Sequence, residues 1–131
     1  MDIAHGQHLS GVAVALIAAA AAAGFAALGG TEALGAHPFW AIKVGWIGAL
    51  IGVAAHLAGR GMGLSRPIGV GLFAGAMVLA GLTTYIGKTR FVASFAEDAF
   101  AGRMWFLGWI AVMAAATALA ASLLSRAARK P

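Results

Sequence analysis

Histidine is the residue type in this chain best suited to holding a metal or a haem, and three of its four histidines, His5, His8 and His56, fall where two apolar stretches bring them to one end. Pairing those stretches as an antiparallel hairpin matches residues whose numbers sum to about 67, which sets His8 opposite the chain just beyond His56. Imidazoles on facing helices hold haem iron axially or bind a transition metal. His56, with His8 or His5, is therefore the candidate cofactor-binding set, and haem b the candidate cofactor. The plainer expectation is that His5 and His8 meet water and headgroups at a helix entrance while His56 hydrogen-bonds to a neighbouring helix.

A second constellation lies towards the other end. Matching the second and third stretches in the same way, with a sum of about 126, places Lys43 near Thr83 and Thr84, with Tyr85 adjacent and Arg103 opening the last stretch on the same side. That polar cluster has the chemistry to receive an anionic headgroup, a quinone or a small acid. The competing expectation is a lysine one turn inside the bilayer that lifts its ammonium to the interface. Lys43 and His56 are about 13 residues apart, roughly 20 Å along a helix, so the two constellations cannot grip one ligand head.

The elements that must position these residues are four apolar stretches, at about 9–28, 39–58, 67–86 and 104–124. Each has the roughly 20 residues a spanning helix needs. The second carries Lys43 and His56, and the other three contain no Asp, Glu, Lys, Arg or His. Charges this rare within spans are candidates for function. The expected fold is all-α: one transmembrane domain over residues 1–131, an antiparallel four-helix bundle in which short connections make successive helices neighbours. In the longer connection, Gly87 to Arg103, the spacing of Phe91, Phe95 and Ala99 opposite Glu97 and Asp98 predicts a short amphipathic helix lying in the interface. Gly48 and Gly52, one turn apart and in line with His56, and Gly71 and Gly75 in the third stretch predict close helix packing within the bundle or between copies. Trp40, Trp46, Tyr85, Trp105 and Trp109 gather towards one membrane face as an aromatic belt.

The +5 formal charge would point to nucleic acid in a soluble chain, but here the basic residues stand at the ends of apolar stretches, where lipid headgroups account for them. Nucleic acid is not an expected partner. The absence of cysteine removes disulfides, thiolate nucleophiles and iron–sulfur ligation. No phosphate loop, HExxH motif or triad is spelled, and no carboxylate lies mid-span to couple transport to protons or sodium. The first ten residues contain Asp2 and no Lys or Arg, so the first stretch is expected to remain as a mature helix rather than a cleaved signal. Arg60, Arg66, Arg126, Arg129 and Lys130 against Lys88, Arg90 and Arg103 place both termini in the cytoplasm, in a bacterial inner membrane.

The run HPFWAIKVGW followed by His56, after a Gly-ended helix, resembles a recurring helix of copper-resistance-D-like domains and of four-helix bacterial protoporphyrinogen oxidases, over residues 9–60. Similarity to the oxidases implies histidine-bound haem and a redox role, with Lys43 and His56 as the matching positions. Similarity to the copper-resistance-like domains implies membrane handling of copper. On the residues themselves, the expected function is non-catalytic: a small accessory or structural subunit, in the lipid bilayer with a membrane-protein partner or copies of itself. The alternative is a haem- or metal-binding redox protein.

Overall fold

A computed structural model describes the backbone of residues 3–125 and the side chains of residues 11–125. It is all-helical, with no strand among the described residues: α1 (Ile3–Ala27), α2 (Gly30–Ala33), α3 (Ala41–Gly61), α4 (Arg66–Ala93) and α5 (Ala99–Leu124). α3, α4 and α5 are long and apolar enough to cross a membrane, with mean hydropathies of 1.6, 1.7 and 2.0, and α1 contains the shorter apolar run Gly11–Ala27.

The ends of these helices follow from local chemistry. α3 stops because Gly63 takes a left-handed conformation (φ 85°), which lets Leu64 N–H return to the Gly59 carbonyl at 2.9 Å. α4 restarts almost at once, with Pro67 in its first turn, where a missing N–H has no intrahelical acceptor to lose.

The connection before α5 differs from expectation. No separate interfacial helix stands between α4 and α5: α4 runs on to Ala93, and α5 begins at Ala99. Ser94 explains the change, since its hydroxyl donates to the Phe91 carbonyl (2.8 Å) and accepts the N–H groups of Glu97 (3.2 Å) and Asp98 (2.9 Å). These bonds close a tight turn through Phe95 and Ala96, both at positive φ. Asp98 then caps α5, accepting Ala101 N–H at 3.0 Å. The residues expected to form an amphipathic face serve as a helix end, a turn and a cap.

The packing is organised around α5, which lies against α4, α3 and α1, while α1 also lies against α3. α3 and α4, joined by a tight turn, are not a packed pair along their lengths, because α5 lies between them. The expectation that successive helices are neighbours fails at this step. α5 reaches both partners through glycine. A Cβ on Gly48 would stand 2.5 Å from Met113 Cβ and 2.9 Å from the Ile110 carbonyl, and one on Gly52 would stand 2.5 Å from the Ala114 carbonyl. On the α4 side, a Cβ on Gly87 would meet Trp105 N at 2.5 Å, and one on Gly108 would meet Thr84 Cβ at 2.7 Å and its backbone at 2.9 Å. Gly45 likewise sits directly on Ala26 of α1. A Cβ on Gly71 or Gly75, by contrast, would meet nothing within 4 Å among the described residues, so neither glycine is needed for a close approach there.

Gly52→Ala or Gly108→Ala must push a backbone aside and is expected to cost about 1–3 kcal/mol, in the range of overpacked cores. Gly75→Ala adds a methyl in open space and improves helix propensity, so its thermal midpoint in dilute detergent is expected to equal or exceed that of the parent. Thermal unfolding followed by circular dichroism on the three variants checks the contrast.

Candidate functional site

The α3–α4 turn and the last turns of α5 converge around His56. The imidazole is 2% exposed, and its Nδ1 lies 3.3 Å from Ser122 Oγ. Its Nε2 is buried with no hydrogen-bond partner among the described residues. Ser122 Oγ, itself buried, has no other partner among the described residues: where its O–H donates to Nδ1 the ring proton resides on Nε2 as an N–H donor, and where Nδ1–H donates to it Nε2 carries a lone pair.

A cavity of about 430 Å³ adjoins the ring, bounded by His56, Arg60, Ser65, Arg66, Phe73 and Ser122 among others, with no acidic residue in its lining. Arg60 follows His56 by one helical turn and therefore shares its face of α3. Arg66 donates from Nε to the Ser122 carbonyl and from Nη2 to that of Leu123, each at 3.1 Å, binding the start of α4 to the end of α5. Ser65 is the N-cap of α4, but its side chain caps no backbone N–H.

His5 and His8, expected as companion ligands of His56, have side chains outside the described residues. So do the basic residues Arg126, Arg129 and Lys130. Among the described residues no group of three or more His, Asp or Glu is placed to hold a metal ion.

At the opposite end the expected polar cluster is not assembled. Thr84 is buried against α5, its hydroxyl donating to the Trp105 carbonyl at 2.6 Å, while Thr83 turns outward and bonds the Leu79 carbonyl within its own helix. Tyr85 is exposed. Lys43, also exposed, holds its ammonium 5.6 Å from the centre of the Phe39 ring, and Arg103 is exposed on α5. The cause is the position of α5, which occupies the space the arithmetic gave to α3 against α4. A cavity of about 710 Å³ does lie at this end, lined by Thr84, Tyr85, Lys88, Trp105 and Trp109. Its basic residue is Lys88, 5.8 Å from the centre of the Trp105 ring, rather than Lys43 or Arg103.

The aromatic residues divide in the same way. Trp105 and Trp109 are core residues at 6% exposure, whereas Trp46 and Tyr85 face outward. Trp105 anchors this end, donating from Nε1 to the Gly35 carbonyl at 3.0 Å and meeting Trp40, His37 and Phe91 with ring centres 5.3, 5.5 and 5.7 Å away. His37 was not singled out by sequence, and its place is structural: its Nδ1 accepts Phe39 N–H at 3.0 Å. Its one visible signal is the following proline, which marks the turn where such a bond forms. Arg66 and Ser122 also escaped sequence reasoning, since their pairing spans more than fifty residues and depends on the fold.

Compared with protein-family models, with curated proteins and with solved structures, the chain matches none.

Ser122→Ala strips His56 Nδ1 of its partner in a buried site, and is expected to cost about 1–3 kcal/mol. His56→Leu combined with Ser122→Ala removes both polar groups and is expected to recover most of that loss. A double-mutant cycle by thermal or denaturant unfolding measures the coupling.

Proposed function

We propose that this is an integral membrane protein of four antiparallel spans, in a bacterial inner membrane with both termini cytoplasmic, serving as a non-catalytic subunit that docks to copies of itself or to a larger membrane protein. The observation that carries this reading is the state of α4. Among the described residues its buried positions are Gly69, Ala80, Thr84 and Gly87, with Met77 and Phe91 partly buried against the core, while Ile68, Leu72, Val78, Leu79 and Leu82 on its other sides are more than half exposed. Gly71 and Gly75 leave a bare strip on that outer surface, four residues apart. A smooth strip of this kind lets another helix approach to backbone contact, which lipid chains do not exploit in the same way.

In a bilayer mimetic at low detergent, mass measurement of the purified full chain is expected to give a homo-oligomer or a stable complex with a co-purifying membrane protein. Gly75→Leu is expected to break that association while leaving the helical signal intact. A monomer without partners, unchanged by Gly75→Leu, overturns the reading.

The second reading, a haem- or metal-binding redox protein using His56 with His8 or His5, draws support from the unpartnered Nε2. It requires a lone pair on that nitrogen, hence the tautomer in which Nδ1–H donates to Ser122. The subunit reading is preferred because no group of three or more His, Asp or Glu stands together among the described residues to complete a metal site. An oxidised and a reduced absorption spectrum of the purified chain decides between them: the expected result is no Soret band, and a band lost in His56→Ala establishes the haem reading instead.

A further inference from the structure

The cavity beside His56 holds a surplus of hydrogen-bond donors, and this surplus does not depend on how the chain assembles. The imidazole Nε2 is buried with no hydrogen-bond partner among the described residues, and it is a donor when the Ser122 O–H donates to Nδ1. The Arg66 guanidinium uses two of its N–H groups on α5 carbonyls and has three more. Arg60 is exposed at the cavity rim, one turn beyond His56. The first turn of α4, which Ser65 leaves uncapped, turns the positive end of its helix dipole to this lining through Arg66 and Pro67. Among the described residues no carboxylate in the lining offsets these groups. An unpaired buried donor is costly in isolation, and a negatively charged acceptor would satisfy it while offsetting the guanidinium charge in the same lining.

We infer that this cavity binds a phosphate group, with His56 Nε2–H as the buried donor, Arg60 and Arg66 as the charge partners and the positive end of the α4 dipole beside them. Phosphate offers the several acceptor oxygens that a histidine, two guanidinium groups and a helix start together require. The cavity lies at the ends of three long apolar helices, the depth at which a phospholipid phosphate resides, and its volume of about 430 Å³ exceeds that of a bare phosphate ion. The phosphate therefore belongs either to an anionic lipid headgroup or to a free phosphate, and both present the same oxygens.

The test uses the full chain in mild detergent. Native mass spectrometry with phosphatidylglycerol, and with diacylglycerol as the phosphate-free probe, measures lipid retention, while ³¹P nuclear magnetic resonance titration measures inorganic phosphate. The expected result is one equivalent of phosphatidylglycerol or phosphate retained per chain, and about tenfold weaker binding in Arg60→Gln and in His56→Leu, as loss of a charge-assisted donor implies. Arg60 is exposed, so its variant reports on binding without threatening the fold. Retention of phosphatidylglycerol that inorganic phosphate does not displace assigns the lipid headgroup, and displacement by inorganic phosphate assigns the free anion. Diacylglycerol held as tightly as phosphatidylglycerol, binding of neither phosphate probe, or binding unaltered in both variants overturns the inference.

Discussion

Backbone contact between α5 and its two partners is the constraint on which the rest of this structure depends. Where helices are surrounded by lipid there is little hydrophobic gain in bringing them together, so close van der Waals contact has to supply the attraction. Gly48 and Gly52 on α3, and Gly87 on α4 with Gly108 on α5, open the spaces that permit it. The approach also brings hydroxyls within reach of main-chain carbonyls. Thr84 bonds Trp105 at 2.6 Å because Gly108 lies directly against it. Ser122 meets His56 because the same α3–α5 contact continues to the end of both helices.

That central place for α5 makes the two ends of the molecule unlike. At the end holding Trp105, donors have acceptors: the indole bonds Gly35, Thr31 bonds the Ala41 carbonyl at 2.6 Å, and His37 accepts from Phe39. Aromatic rings fill the space between them. At the end holding His56, the buried Nε2 has no partner among the described residues, and the histidine lines a cavity together with Arg60 and Arg66. The first end reads as a structural anchor and the second as a receptive site.

The long apolar stretches and their helical state were legible in the sequence because each rests on local composition. Rotation and neighbourhood were not. Gly48 and Gly52 have the same spacing as Gly71 and Gly75, yet a Cβ on either of the first pair would meet backbone and one on either of the second would meet nothing among the described residues. Spacing reports that a helix has a smooth strip; only the placement of the neighbouring helix decides whether the strip is used. The antiparallel arithmetic failed for Lys43 and Thr84 for the same reason, since it assumed that a short turn makes two helices partners. Ser94 and Asp98 illustrate a different gap: the Phe91–Ala99 pattern has helical periodicity, but local side-chain bonds to the main chain outcompete it.

Of the candidate site, His56 alone was legible, and its meaning changed with its surroundings. A buried histidine on a span reads first as a ligand for iron or copper, through an imidazole lone pair. The Ser122 hydroxyl bears on this, because an imidazole that accepts its proton at Nδ1 carries its own at Nε2 and has no lone pair to offer there. Charge points the same way, since the lining includes Arg60 and Arg66 but no acid. A metal cation would add positive charge where two guanidinium groups already stand, whereas an oxyanion offsets them and accepts the histidine proton. With its proton at Nε2, the most obvious metal ligand in the sequence becomes the innermost donor of an anion site.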